Sequence, residues 1–552
     1  MTDDVQSLAT EYFDFLLRTS PTWAHLLGEY RYADRFEDVS RAEEDRQIAE
    51  ARAFAARATA LPVDGLGRQD LISREMLIWD ASIRADVTEA RLEEFSVDPI
   101  FGPQAMLPVR LPKLGLPSAE VAEALVAKFA GIGRMFHDLA ERHREGAANG
   151  RIPARFAIDQ TIDQIDAWLA TPPAEDPLLH PAEPTGVADR EAWIGRLRTA
   201  IAGDVRPGLA AYREALRDIA PVARSDERVG LSWLPDGADA YERLIRFYTT
   251  TSLSAQEIHD VGLAQIAKLT DEYREIGGPV LGTTDLATIF ARLRDDPALH
   301  HENGEDIIAA SKAALAKAKA ATGAWFGIQP KADCDVEAVT SGAIAYYFPP
   351  PKDGSRGGVF FMNVSDPAGW GRYQIEATSY HEGIPGHHLQ LAISTELDGI
   401  PDFRKRAFIA AYGEGWGLYS ERLADEMGLY TRPLDRLGML EADSMRACRL
   451  VVDTGMHALG WSRQQAIDYM VANSPMRESH ITAEVDRYAV TPGQALAYML
   501  GRLEIQRIRR DAETALEGRF DIRAFHDAVL GSGALPLPIL ERVVRDSLGV
   551  PI

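Results

Sequence analysis

Apolar residues return at three- and four-residue intervals through most of this chain. A chain so patterned buries its apolar surface by packing helices, not by pairing strands. Val5–Leu17 and Glu43–Ala60 carry the pattern near the start, and Ser118–Glu145 and Asp189–Leu216 continue it. Pro207 falls inside the last of these and predicts a kink there. Ser254-Ala-Gln-Glu257 and Ser462-Arg-Gln-Gln465 place a hydroxyl three residues before a carboxylate or amide, the signature of a capped helix start. They predict helices over Ser254–Ile276 and Ser462–Ala472. Polar, Pro-rich breaks occur at Ala170–Val187 and Pro221–Ala238. A chain of 552 residues is too long for one small core. The expected organisation is an N-terminal helical lobe over residues 1–240 and a second lobe over 241–552, mainly α throughout.

One stretch departs from the helical period. Ala343-Ile-Ala-Tyr-Tyr-Phe348 and Val359-Phe-Phe-Met-Asn363 are both β-prone, and the turn-rich run Pro349–Gly358 separates them. This predicts a hairpin with a long connection, immediately upstream of the chain's densest histidine cluster.

Composition narrows the function classes. With 83 acidic against 59 basic residues the formal net charge is −24, which repels phosphate backbones and anionic lipid. Nucleic acid and membrane surfaces are therefore not expected partners. The two cysteines, Cys334 and Cys448, cannot build a disulfide framework or a cysteine-based zinc site. No run of about 18 apolar residues exists to span a membrane. The acidic start, Met1-Thr-Asp-Asp, lacks the basic and apolar regions of a secretory signal, so a cytoplasmic protein is expected.

Tyr380-His-Glu-Gly-Ile-Pro-Gly-His-His-Leu-Gln390 concentrates three of the 13 histidines. Zinc hydrolases need neutral imidazoles and a carboxylate as ligands, one open position for water, and a nearby carboxylate to take that water's proton. The usual helical arrangement sets two His one turn apart around a Glu. Here Pro385 stands where the second His would be; His387 lies six residues after His381 and His388 seven. On an unbroken helix His387 is well round the axis, and His388 is roughly 10 Å along it. Either can join His381 only if the chain breaks at Gly383–Gly386, and Pro385 between two glycines suits such a break. About 30 residues downstream, Ala411-Tyr-Gly-Glu-Gly-Trp-Gly-Leu-Tyr-Ser-Glu421 offers Glu414 between two glycines, where a metal can approach closely. Glu421, on the same helical face, is placed to orient a ligand imidazole.

These residues resemble the bacterial domain-of-unknown-function 885 family. The resemblance runs closely over about 343–508 and includes Arg449-Leu-Val-Val-Asp-Thr-Gly-Met-His457, Gly460-Trp-Ser, Tyr488 and Pro492-Gly-Gln-Ala-Leu-Ala-Tyr498. That family is in turn similar to the helical gluzincin peptidases, among them carboxypeptidase Taq, thimet oligopeptidase and angiotensin-converting enzyme. The resemblance implies a zincin-like fold with a small sheet beside the metal helix and a cleft between lobes. It implies Zn²⁺ held by His381, His387 and Glu414, with His388 as rival to His387, and Glu382 as general base. It further implies that Val359, Phe360, Phe361 and Asn363 form an edge strand that binds extended substrate. Tyr498, Tyr488 and His457 are the implied oxyanion donors, and Arg502 the implied anchor for a carboxylate. The expected activity is hydrolysis of short peptides. The same centre would serve a non-peptide amide or ester, and a metal-free helical binding protein is the further alternative.

Overall fold

The computed structural model describes residues 4–350 and 356–550. Helices dominate it, in line with the apolar period. Val5–Thr19 is capped by Asp4, Arg41–Ala60 by Ser40 and Ala119–Ala148 by Ser118, each side chain accepting from a backbone N–H of the first turn. Both capping boxes form. Ser254 and Glu257 exchange hydrogen bonds at the head of Ala255–Leu281, as do Ser462 and Gln465 at the head of Arg463–Asn473. The kink expected at Pro207 takes a specific form. Arg190–Ala200 passes through a π-helical turn, Ile201–Val205, into Arg206–Ile219. Proline donates no N–H, so the carbonyl before it must be satisfied by a wider turn.

The sheet has three strands, one more than expected: β1 (Cys334–Val339), β2 (Ala345–Phe348) and β3 (Gly358–Asn363), in the order β1-β3-β2. β2 and β3 form the expected antiparallel hairpin, Ala345 opposite Met362 and Phe348 opposite Val359. Residues 351–355 of its connection lie outside the described residues. β1 runs parallel to β3, with Cys334 opposite Gly358 and Val339 opposite Asn363. Only Val336 of β1 is buried, so the strand left no apolar pattern to read. This topology corrects one expectation. Val359, Phe360, Phe361 and Asn363 belong to the central strand, and their main-chain groups already pair on both sides. The open edge beside helix Ile375–Glu382 belongs to β2.

Two large cores and two smaller ones, the smallest around Ala512, Leu516 and Val550, hold the helices together. The largest gathers Phe129, Tyr212, Ile258, Leu450 and Tyr488; the second gathers Tyr12, Phe54, Trp416, Ile505 and Leu540. Each draws from both sides of residue 240, so that position is not a boundary between cores. The third, with Leu315, Phe360 and Tyr380, lies under the sheet.

Helices Ala410–Glu426 and Ala497–Leu516 cross at backbone contact. A Cβ on Gly501 would lie 1.9 Å from the Ala411 carbonyl oxygen, and one on Gly415 would lie 2.5 Å from Gly501. Gly501→Ala must therefore part the two helices and should cost about 2–3 kcal/mol or more in urea unfolding. Gly195→Ala, in a helix with nothing within 4 Å of the added methyl, should instead stabilise by about 0.5–1 kcal/mol.

Candidate metal centre

The His-bearing helix Ile375–Glu382 ends at Gly383, and a new helix, His387–Glu396, begins four residues later. Pro385, joined to Ile384 by a cis peptide, lies between them. Two glycines let the chain fold back on the helix end. A Cβ on Gly386 would lie 1.9 Å from the His381 carbonyl oxygen, and one on Gly383 would lie 2.2 Å from Leu315. The Trp416 indole N–H donates to the Pro385 carbonyl at 2.9 Å and ties this turn to the neighbouring helix. The fold-back brings the His387 ring to 4.8 Å from that of His381, perpendicular to it.

His388, one residue on, points elsewhere. It is buried against β2, with Nδ1 2.9 Å from the Tyr347 hydroxyl, and burial pushes its pKa down to about 4. Of the two rivals, the structure sets His387 beside His381.

Helix Ala410–Glu426 supplies the rest. His381 Nε2 lies 3.8 Å and His387 Nε2 3.5 Å from Glu414 Oε2. Ligand atoms of these three residues all lie within 4.8 Å of one another. Neighbouring donors in a tetrahedral zinc shell stand about 3.4 Å apart, so the two nitrogen-to-oxygen separations are close to what an ion requires. Gly417 makes the approach possible, because a Cβ there would lie 2.7 Å from the His381 ring. One turn further on, Glu421 accepts from His381 Nδ1–H at 2.8 Å. That contact fixes the tautomer and leaves the Nε2 lone pair facing Glu414.

The electrostatics suit a cation. Burial opposes charge on His381, yet Glu414 and Glu421 outweigh it and lift the imidazole pKa to about 9. Burial likewise opposes charge on Glu414, but His381 and His387 hold its carboxyl well below the usual range. In both cases the neighbours outweigh the desolvation, and metal ions compete for such donors against protons. Glu382, half-buried at the end of the His helix, makes no hydrogen bond or ion pair among the described residues. It acts on His381 through its charge and is available to receive a proton.

The remaining expected residues divide. Tyr498 is half-buried in helix Ala497–Leu516; burial first and then the Glu414 charge raise its hydroxyl above the ordinary phenol value. It lies one turn before Gly501, where its helix touches the Glu414-bearing helix. Tyr488 does not serve as expected. Its ring is fully buried, its hydroxyl donates to Glu484, and it accepts from Arg449 Nε at 2.7 Å. His457 is a correction as well. Its Nδ1 accepts from the Leu231 N–H at 3.1 Å and its Nε2–H donates to the Tyr488 carbonyl at 3.0 Å, so neither nitrogen can meet a substrate. Arg502 is likewise committed, its guanidinium paired with the buried carboxylate of Asp443, which Arg422 also holds. The expected roles of Trp416 and Tyr347 were not anticipated. Their signal was only local aromatic density beside glycine or histidine.

The chain belongs to the family described as bacterial protein of unknown function (DUF885), whose model matches residues 21–544. A crystal structure from Colwellia psychrerythraea, described as a candidate lipoprotein, is similar at a TM-score of 0.90 and 24% identity, over 99% of this chain and 100% of that one. A second, from Shewanella oneidensis and described as a candidate lipoprotein of unknown function, is similar at a TM-score of 0.78 and 17% identity, over 98% and 99%. No curated protein matches the sequence. Among the described residues no helix is long and apolar enough to cross a membrane.

Burial pushes the His457 pKa down to about 3. The folded chain keeps this imidazole neutral, whereas the unfolded chain protonates it below about pH 6.5. Stability from this group is therefore present above pH 6.5 and lost as pH falls from there towards 3. His457→Gln should lower the slope of unfolding free energy against pH in that window by up to about 1.4 kcal/mol per pH unit, one proton's worth. A slope equal to that of the parent protein would mean the imidazole is already charged in the folded chain.

Proposed function

We propose that the chain is a zinc-dependent hydrolase that cleaves peptide bonds of short peptides, with His381, His387 and Glu414 as ligands. The carrying observation is the convergence of those three donors on one point, with Glu421 behind His381 and the unpaired Glu382 alongside. Two imidazoles from consecutive helices and a glutamate from the next form a zincin-like set in which the break at Pro385 replaces the single unbroken helix turn. When bound, zinc supplies Lewis acidity to a carbonyl and makes a water acidic near neutrality.

The chain's own residues would then act as follows. Glu382 accepts the proton of the attacking water and returns it to the leaving amine. Tyr498 offers its hydroxyl to the oxygen of the scissile carbonyl as that oxygen gains charge. β2, whose outer edge is unpaired beside the His helix, offers main-chain donors and acceptors to an extended peptide. This free edge favours a peptide over a compact amide or ester as substrate. The net charge of −24 continues to speak against nucleic acid.

The compartment is a separate question. The sequence suggests the cytoplasm, whereas the two structural neighbours carry the description of candidate lipoproteins. Fractionation of the native host, followed by immunodetection, distinguishes the two.

Protein purified without added metal should contain about one zinc per chain by elemental analysis. His387→Ala should lose most of that zinc and His388→Ala should keep it. Glu382→Gln should keep the zinc and lower kcat on a short-peptide mixture by at least about 100-fold, as removal of a general base does. Wild-type turnover by Glu382→Gln would sink the mechanism. Less than about 0.2 zinc per chain, with no stabilisation by added zinc, would favour a metal-free binding protein.

A further inference from the structure

Next to Tyr498, two guanidiniums hold one carboxylate and a third lies over the tyrosine ring. Arg449 donates from Nε to the Tyr488 hydroxyl and from Nη2 to Glu484 at 2.8 Å. Arg487 donates to the same carboxylate at 2.9 Å. Arg446 makes no ion pair among the described residues and reaches only the Ala442 carbonyl at 3.3 Å and the Met445 sulfur at 3.8 Å. Among the described residues Glu484 is the only carboxylate bonded to any of the three. Glu441 acts on Arg446 from a distance but is held by Gln374. The cluster therefore keeps an excess of positive charge in a buried setting.

Within it, two buried donors have no hydrogen-bond partner, Arg446 Nε and Arg449 Nη1. Arg449 is 4% exposed, and its Nη1 has no hydrogen-bond partner. A buried cationic donor left unpaired is costly, and proteins pair such groups wherever they can. A structural role does not account for it, because Nε and Nη2 already tie the Pro433–His457 helix to the Glu478–Val490 helix. The groups that cover it point to the metal centre. The Arg449 guanidinium lies 4.5 Å from the centre of the Tyr498 ring, and Arg446 lies 5.8 Å from the same ring. Tyr498 and Arg446 are both only half-buried, and Tyr498 lies one turn before Gly501, where its helix meets the Glu414-bearing helix at Ala411 and Gly415.

We propose that this cluster is a carboxylate subsite of the metal centre, with Arg449 Nη1 as its principal donor and Arg446 beside it. Resting on the hydrolase reading above, it makes the substrates peptides whose scissile bond lies close to a free C-terminal carboxylate. A guanidinium matches a carboxylate in shape and charge, and charge-assisted contacts of this kind are the strong ones. Arg502, the anchor expected from sequence, is excluded by its pairing with Asp443. The partnerless nitrogen of Arg449 is a terminal Nη, whereas that of Arg502 is only its Nε.

The test compares N-acetyl-dialanine or a longer N-acetyl-alanine peptide with its C-terminal amide. For the zinc-loaded protein, kcat/KM should favour the free acid by about 30-fold or more, the worth of one charge-assisted contact, and the difference should sit mainly in KM. Arg449→Gln and Arg446→Gln should each shrink that ratio. Arg446→Gln, at a half-buried position with no ion pair, keeps the comparison available if Arg449→Gln fails to fold. Calorimetric titration of the zinc-stripped protein with the same two probes separates the subsite from the hydrolase reading. Tighter binding of the acid by at least about tenfold supports the subsite even if neither peptide is cleaved. Equal binding of acid and amide, or no binding of either, overturns it whatever the zinc-loaded protein does.

Discussion

The imidazole of His381 rests on a helix face that has been stripped of side chain to receive it. Gly417 leaves room for the ring, Glu414 lies one turn before that gap, and Glu421 one turn after. Everything else in the centre follows from this seat. With Nδ1 held by Glu421, the ring cannot rotate, so Nε2 faces Glu414 by default. The turn at Gly383–Gly386 then has one task, to deliver a second imidazole to a point already set by the first and by Glu414. Trp416, on the same helix, holds that turn by its carbonyl. One helix thus positions both the Glu414 carboxylate and the break in the element opposite.

Part of this was legible in the sequence. The helical period, both capping boxes and the β2–β3 hairpin are local signals, and local signals survive folding unchanged. His381, His387, Glu414 and Glu421 could be singled out because rare residue types cluster among glycines. What the sequence could not separate was His387 from His388, since one residue of register decides which ring faces Glu414 and which faces Tyr347. The same limit applies to Tyr488, His457 and Arg502. Each looks reactive in the sequence, and each is engaged by partners far along the chain: Tyr488 by Arg449, His457 by Leu231, and Arg502 by Asp443 through its terminal nitrogen. Buried polar residues with complete partner sets are indistinguishable, by residue type alone, from those with a free group. β1 was missed for a related reason, because it pairs with a strand distant in sequence and buries a single side chain.

The pairing census also separates the two tyrosines and the two arginines that lie nearest the centre. Tyr488 and Arg502 have opposite charges or acceptors at hand and are scaffold. Arg449 retains a terminal nitrogen that no group of the described protein pairs, and Tyr498 is only half-buried. Such leftovers in a well-packed interior are where function is most economically sought, because packing and hydrogen bonding account for the rest.

The interleaving of the two large cores bears on how the chain is made. Tyr12 and Phe54 pack in the same core as Ile505 and Leu540, and Tyr241 donates its hydroxyl to Asp453 across the other. The first helices can pair early with one another, since Tyr12 and Phe54 also pack with Ile72 and Met76. The apolar face that this early group turns to Ile505 and Leu540 stays open until those late helices have been synthesised. Contacts so distant in sequence close slowly, and an open apolar face invites association in the interval.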